Sequence, residues 1–111
     1  MLTTGKALKV TVYLSDGAKH KGIPVYTSIL DFLFKNGIAG ASVFKGVAGF
    51  GAHHHIHAAH LLELSDRLPI KIEFIDTKEK VEGLLPQLEE RCGCGVIEVK
   101  ETMVIVPKRE K

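Results

Sequence analysis

A two-residue alternation of apolar and polar side chains marks two parts of the chain. Residues 7–14, ALKVTVYL, alternate throughout, and residues 68–74, LPIKIEF, do so again. This period is typical of β-strands with one buried face. Pro69 lies near the start of the second segment, where a strand tolerates proline. The predicted inward side chains are Leu8, Val10, Val12, Leu14, Leu68, Ile70, Ile72 and Phe74.

Two further strands are predicted from weaker patterns. One covers ASVFKG, residues 41–46, and the other is a long last strand that ends at Pro107. The apolar positions of the last strand are Ile97, Val99, Met103 and Ile105.

Apolar residues recur at helical spacing before the second strand. Pro24 is well placed to open this helix, because the N–H that proline lacks has no partner in a first helical turn. Asn36-Gly37 closes the helix, with glycine as a left-handed cap. The predicted apolar stripe is Val25, Ile29, Leu30, Leu33 and Phe34.

A second helix is predicted between the third and the last strand. Asp76 and Glu79 are interpreted as a capping box at its start. Pro86 lies inside the apolar stripe, so a kink or a break is expected near Glu82. CGCG, residues 92–95, ends the helix, and its apolar stripe is Val81, Leu84, Leu85 and Leu88.

The predicted order is β-α-β-β-α-β, in one domain over residues 1–111. Right-handed crossovers fold two such halves into an α+β, ferredoxin-like sandwich: a four-stranded antiparallel sheet with both helices on one face. The other face is left open and partly apolar, which predicts self-association. Its predicted residues are Lys9, Thr11, Tyr13, Ile75, Val96, Val104 and Val106.

Charge and composition exclude several classes of function. The net charge of +2 comes from interleaved acidic and basic residues, so no basic patch for nucleic acid is expected. The basic end, residues 108–111, is interpreted as solvated. No apolar run approaches the roughly 20 residues that span a bilayer, and the first residues lack the apolar segment of a signal peptide. We therefore expect a cytoplasmic protein that does not insert into membranes.

The most unusual stretch is GVAGFGAHHHIHAAH, residues 46–60, in the connection between the second and third strands. A hairpin connection usually has about two to five residues, and long loops on small scaffolds often carry function. Glycines at Gly46, Gly49 and Gly51 allow a phosphate to approach the backbone closely. Alternatively, they only permit positive φ at a bulge or hinge.

The histidines of this stretch are candidate ligands for a divalent metal. On an extended segment His53, His55 and His57 project to one side, about 7 Å apart. One metal would then require the loop to curl, or one histidine from each of three subunits. Cys92 and Cys94 could complete such a site or sense redox state; alternatively, they are small residues in a tight turn. The other interpretation of the histidines is an exposed polar loop.

No set of residues combines a nucleophile, a base and a group to orient the base. Ser65 lacks the context of a nucleophile elbow, and the carboxylates show no catalytic pairing. We therefore do not predict an enzyme.

Several longer motifs resemble a known family. NGIAGASVFKGVAGFG, a following IH, and LSDRLPIKIEFIDTKEKVEGLLPQLEE resemble the uncharacterised PII-like family known as domain of unknown function 190, from about Val10 to Val106. A more distant similarity is to the nitrogen-regulatory PII proteins, in which a comparable strand leads into a long T-loop. Lys45-Gly46 and Gly49-Phe50-Gly51 occupy that place here.

The resemblance implies a homotrimer with ligand sites in the clefts between subunits, and a sensor that docks its loop on a partner protein. A membrane transporter or channel is one candidate partner. PII proteins bind adenine nucleotides in these clefts, partly through a glycine-rich turn after the second helix. The turn here, residues 91–95, lacks their glycine–aspartate–glycine–lysine run. The implied ligand-binding residues are Lys45, Gly46, Gly49, Phe50, Gly51, Arg91, Gly93 and Gly95.

The alternative function is a trimeric divalent-metal binder similar to the divalent-cation-tolerance proteins, which uses the His53–His60 cluster and could include Cys92 and Cys94. Its candidate metal ligands are His53, His55 and His57. The cofactor is therefore left open between an adenine nucleotide and a divalent metal. A structural adaptor without a small ligand is the third possibility.

Overall fold

The computed structural model describes residues 1–50, 57–58, 68–93 and 95–108. In chain order its elements are β1 (Gly5–Ser15), β2 (Lys19–His20), β3 (Ile23–Pro24), α1 (Val25–Lys35), β4 (Ala41–Lys45), β5 (Ala48–Gly49), β6 (His57–Ala58), β7 (Pro69–Asp76), α2 (Lys78–Cys92) and β8 (Val96–Val104).

The main sheet has the strand order β4-β7-β1-β8, and every neighbouring pair in it is antiparallel. Both helices pack on the face that carries Val10, Val12 and Ile72, whose side chains are fully buried. Burial of each such side chain contributes about 1.5–3 kcal/mol. The predicted ferredoxin-like α+β fold is therefore confirmed, and the inward residues of the two alternating segments form its core.

The buried face of α1 differs from the predicted stripe. Leu30 is 37% exposed and Phe34 is 83% exposed, so their assignment to the core was wrong. The core contains Phe32 instead, along with Val25, Ile29 and Leu33. Successive helical residues are turned by about 100°, which carries positions 30 and 34 away from the face that positions 29 and 33 bury.

Residues 19–24 form a small hairpin that the sequence patterns above do not include. Strand β2 pairs with β3, and the two residues between them, Lys21 and Gly22, have φ of 53° and 81°. Two consecutive positive φ values suit a two-residue hairpin, because the turn then matches the twist of its strands. A positive φ is uncommon for residues other than glycine, so a turn with Lys21 in this conformation was not evident from the residue types.

The start of α2 corrects the predicted capping box. The N-cap is Thr77, whose hydroxyl accepts from the Lys80 N–H. Asp76 is fully buried and accepts instead from the N–H groups of Ala39 and Thr77. The Asp-x-x-Glu pattern was therefore displaced by one residue from the true cap.

Helix α2 also continues through Pro86 without the expected break. Val81, Leu84 and Leu88 are buried, and their combined burial exceeds the roughly 3 kcal/mol that an internal proline costs. The helix ends at Cys92, as the CGCG sequence predicts.

The last strand is shorter than expected, since β8 ends at Val104 and not at Pro107. Beyond it, Val106 exchanges two hydrogen bonds with the Thr4 hydroxyl. Met103, on the edge strand β8, and Ile105, beyond its end, are largely exposed. Among the described residues, no helix combines the length and apolar character needed to cross a bilayer.

The open face of the sheet is mixed, as predicted. Tyr13, Phe44 and Val96 are exposed there, whereas Thr11 is buried. Between them, Lys71 and Lys9 form ion pairs with Glu73. The hydrogen bond from Lys71 lowers the pKa of the Glu73 carboxyl below its ordinary value, and the charge of Lys9 adds to the effect.

Candidate functional site

The chain is held firmly where it leaves β4 for the 46–60 loop. The Lys45 ammonium lies 2.6 Å from an Asp16 carboxylate oxygen, and the Gly46 N–H donates to the Pro69 carbonyl at 2.7 Å. Asp16 is fixed in turn, because its N–H donates to the Leu68 carbonyl at 2.8 Å. Three strand ends are thereby joined at one end of the sheet.

Gly46 and Gly49 are required by close packing against Pro69. A Cβ at position 46 would lie 2.7 Å from the Pro69 Cγ, and a Cβ at position 49 would lie 3.0 Å from the same atom. Neither glycine has a positive φ. The interpretation of these two glycines as positive-φ hinge positions is therefore wrong.

The loop begins and ends in a two-residue ribbon. Ala48 pairs with Ala58, and Gly49 with His57. Phe50, which follows the ribbon, is 64% exposed. The other predicted residues of the loop, Gly51, His53 and His55, lie outside the described residues. In the described ranges, no group of three or more histidine, cysteine, aspartate or glutamate side chains is arranged to hold a metal ion.

The predicted ligand site has two half-sites, the loop base and the turn after α2. The two described glycines of the turn have different structural roles. Gly93 has φ 59° and ψ −116°, a backbone that other residues rarely adopt. Gly95 approaches β1 closely: an added Cβ would lie 2.7 Å from a Leu14 methyl carbon and 2.8 Å from the Tyr13 carbonyl oxygen. Its N–H donates to the Cys92 carbonyl, so that N–H is already engaged.

Arg91 lies in a different groove from these glycines. Its guanidinium stacks over the Phe32 ring at 4.2 Å and donates to the Gln87 carbonyl. This groove, of about 270 Å³, lies between the helices. Gly93 and Gly95 line a separate groove of about 460 Å³ between α2 and β8. Within one chain, Arg91 and the two glycines are therefore not brought together.

Cys92 has the properties of a core residue. It is 4% exposed, and burial raises the pKa of its thiol to about 11, with the charge of Glu89 adding to the shift. A metal ligand or redox nucleophile must be a thiolate. The buried, protonated thiol of Cys92 therefore lacks the exposed thiolate character of a redox nucleophile near pH 7, and Cys94 lies outside the described residues.

The loop base and the glycine turn lie at the same end of the sheet but on opposite edges. Lys45 is opposite Ile70, Ile70 is opposite Leu14, and the adjacent Tyr13 is opposite Val96. Three strand spacings of about 4.8 Å separate β4 from β8, so the half-sites are about 14 Å apart.

Two residues at this site were not identified from the sequence. Asp16 is the ion-pair partner of Lys45, and Pro69 is the platform for both glycines. Both contacts join residues that are far apart in the chain, so no local spacing indicates them. The only sequence signal for these contacts was the position of Pro69 at the start of the predicted strand that follows the glycine-rich loop.

Comparison with known proteins is consistent with this architecture. The family model DUF190, described as "Uncharacterized ACR", matches residues 7–104. A UPF0166 protein of Methanocaldococcus jannaschii is 36% identical over 85 residues, which are 77% of this chain and 78% of the relative.

Two solved structures share the fold at low identity. CPII of Thiomonas intermedia K12, a nitrogen regulatory PII-like protein bound to ADP, AMP and bicarbonate, has a TM-score of 0.64 and 22% identity, covering 93% of this chain and 97% of CPII. A Thermus thermophilus protein described as PII-like has a TM-score of 0.68 and 14% identity, covering 94% of each chain. The family match and the shared fold together show that this chain belongs to the DUF190 (UPF0166) family and has a PII-like, ferredoxin-like fold.

Proposed function

We propose that this protein is a PII-like regulatory protein that binds an adenine nucleotide in the clefts between the subunits of a homotrimer. The observation that carries the proposal is the position of the two glycine-rich half-sites, at one end of the sheet but on opposite edges. Because the half-sites of one chain are about 14 Å apart, a short ligand group contacts both only where the β8 edge of one copy approaches the β4 edge of another. Repeating this head-to-tail contact with a rotation of about 120° between copies closes a trimeric ring.

The uncovered apolar surface supports assembly. Tyr13, Phe44 and Val96 on the open face, and Val99 and Met103 on β8, are exposed in the single chain. A long edge strand with apolar side chains is prone to pair with another chain unless it is covered. In the proposed trimer, neighbouring copies cover these residues.

In the proposed cleft, Lys45, Gly46, Gly49, Phe50 and Gly51 of one copy form the loop base. The Lys45 side chain is half exposed despite its ion pair, so its ammonium can exchange the Asp16 carboxylate for a phosphate. Gly46 and Gly49 pack against Pro69, and the Gly46 N–H is engaged by the Pro69 carbonyl, so in the proposed cleft they give the loop base its shape and Lys45 supplies the charge. The similar CPII structure contains ADP and AMP, which is the ligand class proposed here.

Across the cleft the proposal assigns Gly93, Gly95 and Arg91. Gly95 contributes shape and not a donor, because its N–H is engaged by Cys92. Arg91 reaches a nucleotide only by leaving its stacked position over Phe32. The proposed site is therefore suited to an anion that is bound by the charges of Lys45 and Arg91 and that lies close to the glycine backbone.

The proposed output is a change in the 46–60 loop that alters its docking on a partner protein. A ligand shifts such an equilibrium only if it binds the two loop states with different affinities. A membrane transporter or channel is the partner class that the family resemblance implies. The proposal assigns no catalytic step to the chain.

Isothermal titration with ATP, ADP and AMP, together with sedimentation equilibrium, tests the proposal. We expect saturable binding by a trimer and an affinity reduced several-fold by Lys45→Met. Lys19→Met, which changes an exposed lysine on β2, is the matched control and should bind as the wild type does. Absence of heat with all three nucleotides contradicts the ligand, and a monomer at micromolar concentration contradicts the cleft.

A further inference from the structure

We propose that Pro69 is a positioning residue for the 46–60 loop, because its ring fixes the direction in which the chain leaves β4. The inference concerns the loop base alone and does not depend on which ligand the protein binds. On this proposal, the backbone at positions 46 and 49 is held rigidly against the Pro69 ring and does not act as a glycine hinge.

The Pro69 ring restrains residues 46 and 49 by steric contact. The Pro69 Cγ lies 2.7 Å from a Cβ built at position 46 and 3.0 Å from one built at position 49. One ring therefore packs against the backbone at both positions, three residues apart. The chain between them must follow the ring, and only glycine allows it to come so close.

Polar contacts around the ring restrain the same segment. The Gly46 N–H donates to the Pro69 carbonyl at 2.7 Å, and Lys45 is held by Asp16 at 2.6 Å. Ala48 and Gly49 are then paired in the ribbon with β6. Residues 45, 46, 48 and 49 thus each have a restraint, which a freely rotating hinge would lack.

The ring can be removed without removing the carbonyl. In Pro69→Ala, the nearest remaining atom of residue 69 to a Cβ at position 46 is the carbonyl oxygen, at 3.5 Å, and the nearest to a Cβ at position 49 is its Cβ, at 3.7 Å. Both are ordinary van der Waals distances. An alanine that is too large at position 46 in the wild type therefore fits once the ring is gone.

The test is a double-mutant cycle read by amide hydrogen exchange in the full chain. Relative to the wild type, Gly46→Ala should raise the exchange rate of the residue 46 amide at least tenfold. Adding Pro69→Ala should restore a large part of that protection. The core amides of Val10 and Val12 should exchange as in the wild type in every variant, which separates positioning from a general loss of stability.

Gly40→Ala is the matched control, since a Cβ there meets no atom within 4 Å and φ is not positive. It should leave the residue 46 amide unchanged. The inference is overturned if Gly46→Ala behaves like Gly40→Ala, or if Pro69→Ala fails to rescue Gly46→Ala. The single variant Pro69→Ala provides a second measurement. Protection of the Gly46 amide from exchange should fall, although its acceptor carbonyl is retained. Unchanged protection also contradicts the proposal.

Discussion

The carboxylate of Asp76 accepts a hydrogen bond of 2.8 Å from the backbone N–H of Ala39. The same fully buried side chain accepts from the Thr77 N–H at 2.7 Å. Lys80 strengthens the junction by donating to the Gly37 carbonyl. One aspartate thereby fastens the connection before β4 to the start of α2.

Asp76→Ala should lower the free energy of unfolding by about 3 kcal/mol, because it leaves two N–H groups without their acceptor. Asp76→Asn should cost less, since the amide oxygen can still accept one of the two bonds. Chemical denaturation monitored by circular dichroism measures both. Equal losses for the two variants would contradict this account of the carboxylate.

Gly95→Ala should destabilise the protein by about 2 kcal/mol, because the added methyl overpacks against Leu14 and the Tyr13 carbonyl. Gly83→Ala, in an open position of α2 with no atom within 4 Å of the added Cβ, should be neutral or stabilising. Thermal denaturation of the two variants gives the comparison. A neutral Gly95→Ala would show that this turn has room for a side chain.

The Cys92 thiol should be unreactive in the folded protein. Its pKa is raised from an ordinary 9.0 to about 11, mainly by burial. Because folding favours the protonated thiol, its contribution to stability is complete below pH 9 and is lost as the pH rises toward 11. In a Cys94→Ser background, iodoacetamide should modify Cys92 slowly at about pH 8 and rapidly after denaturation. Rapid modification of the folded chain under the same conditions would contradict the buried, protonated thiol.

If the proposed nucleotide site exists, Asp16 competes with the ligand for Lys45. Asp16→Asn should then tighten ADP binding about threefold, the scale of a half-exposed ion pair. Asp31→Asn is the matched control, because it breaks the Asp31–Lys35 pair on α1 and should leave the affinity unchanged. Titration calorimetry provides both dissociation constants, and equal affinities for the two variants would exclude the competition.

The metal-binding alternative predicts a stoichiometric divalent ion in protein purified without an affinity tag and loaded with zinc or nickel. Combined replacement of His53, His55 and His57 by alanine should abolish it, whereas His20→Ala, on β2, should not. Elemental analysis after gel filtration measures the content. Retention of the metal by the triple variant would rule out this histidine cluster.

The strands show how far sequence patterns predict this protein. The alternation in β1 and β7 correctly predicts the side chains on the face that the helices cover, since a period of two matches one face of a sheet, although Thr11 on the other face is buried as well. The helical stripe of α1 was less informative, because Leu30 and Phe34 are apolar but exposed. Apolar residues on the surface are common, so periodicity alone does not separate the core from an exposed face.

The candidate site was only partly predictable. Its glycine-rich segments were evident, but the physical reason for Gly46 and Gly49 is the Pro69 ring, which belongs to a distant part of the chain. The grouping of Arg91 with Gly93 and Gly95 followed from the resemblance of residues 91–95 to the glycine-rich turn of the PII proteins. In the structure, Arg91 in the last turn of α2 lies in the groove between the helices. Gly93 and Gly95, which follow the helix, line the groove between α2 and β8.

By itself, the sequence determined the order of the four main strands and two helices, the helix-facing side chains of the central strands and the family resemblance, because these depend on local periodicity and motifs. Only the tertiary structure decided that Asp16 pairs with Lys45, that Asp76 bridges to Ala39, and that the two glycine-rich segments lie at one end of the sheet on opposite edges. These relationships arise from strand order and long-range packing, which bring together residues that no spacing along the chain connects.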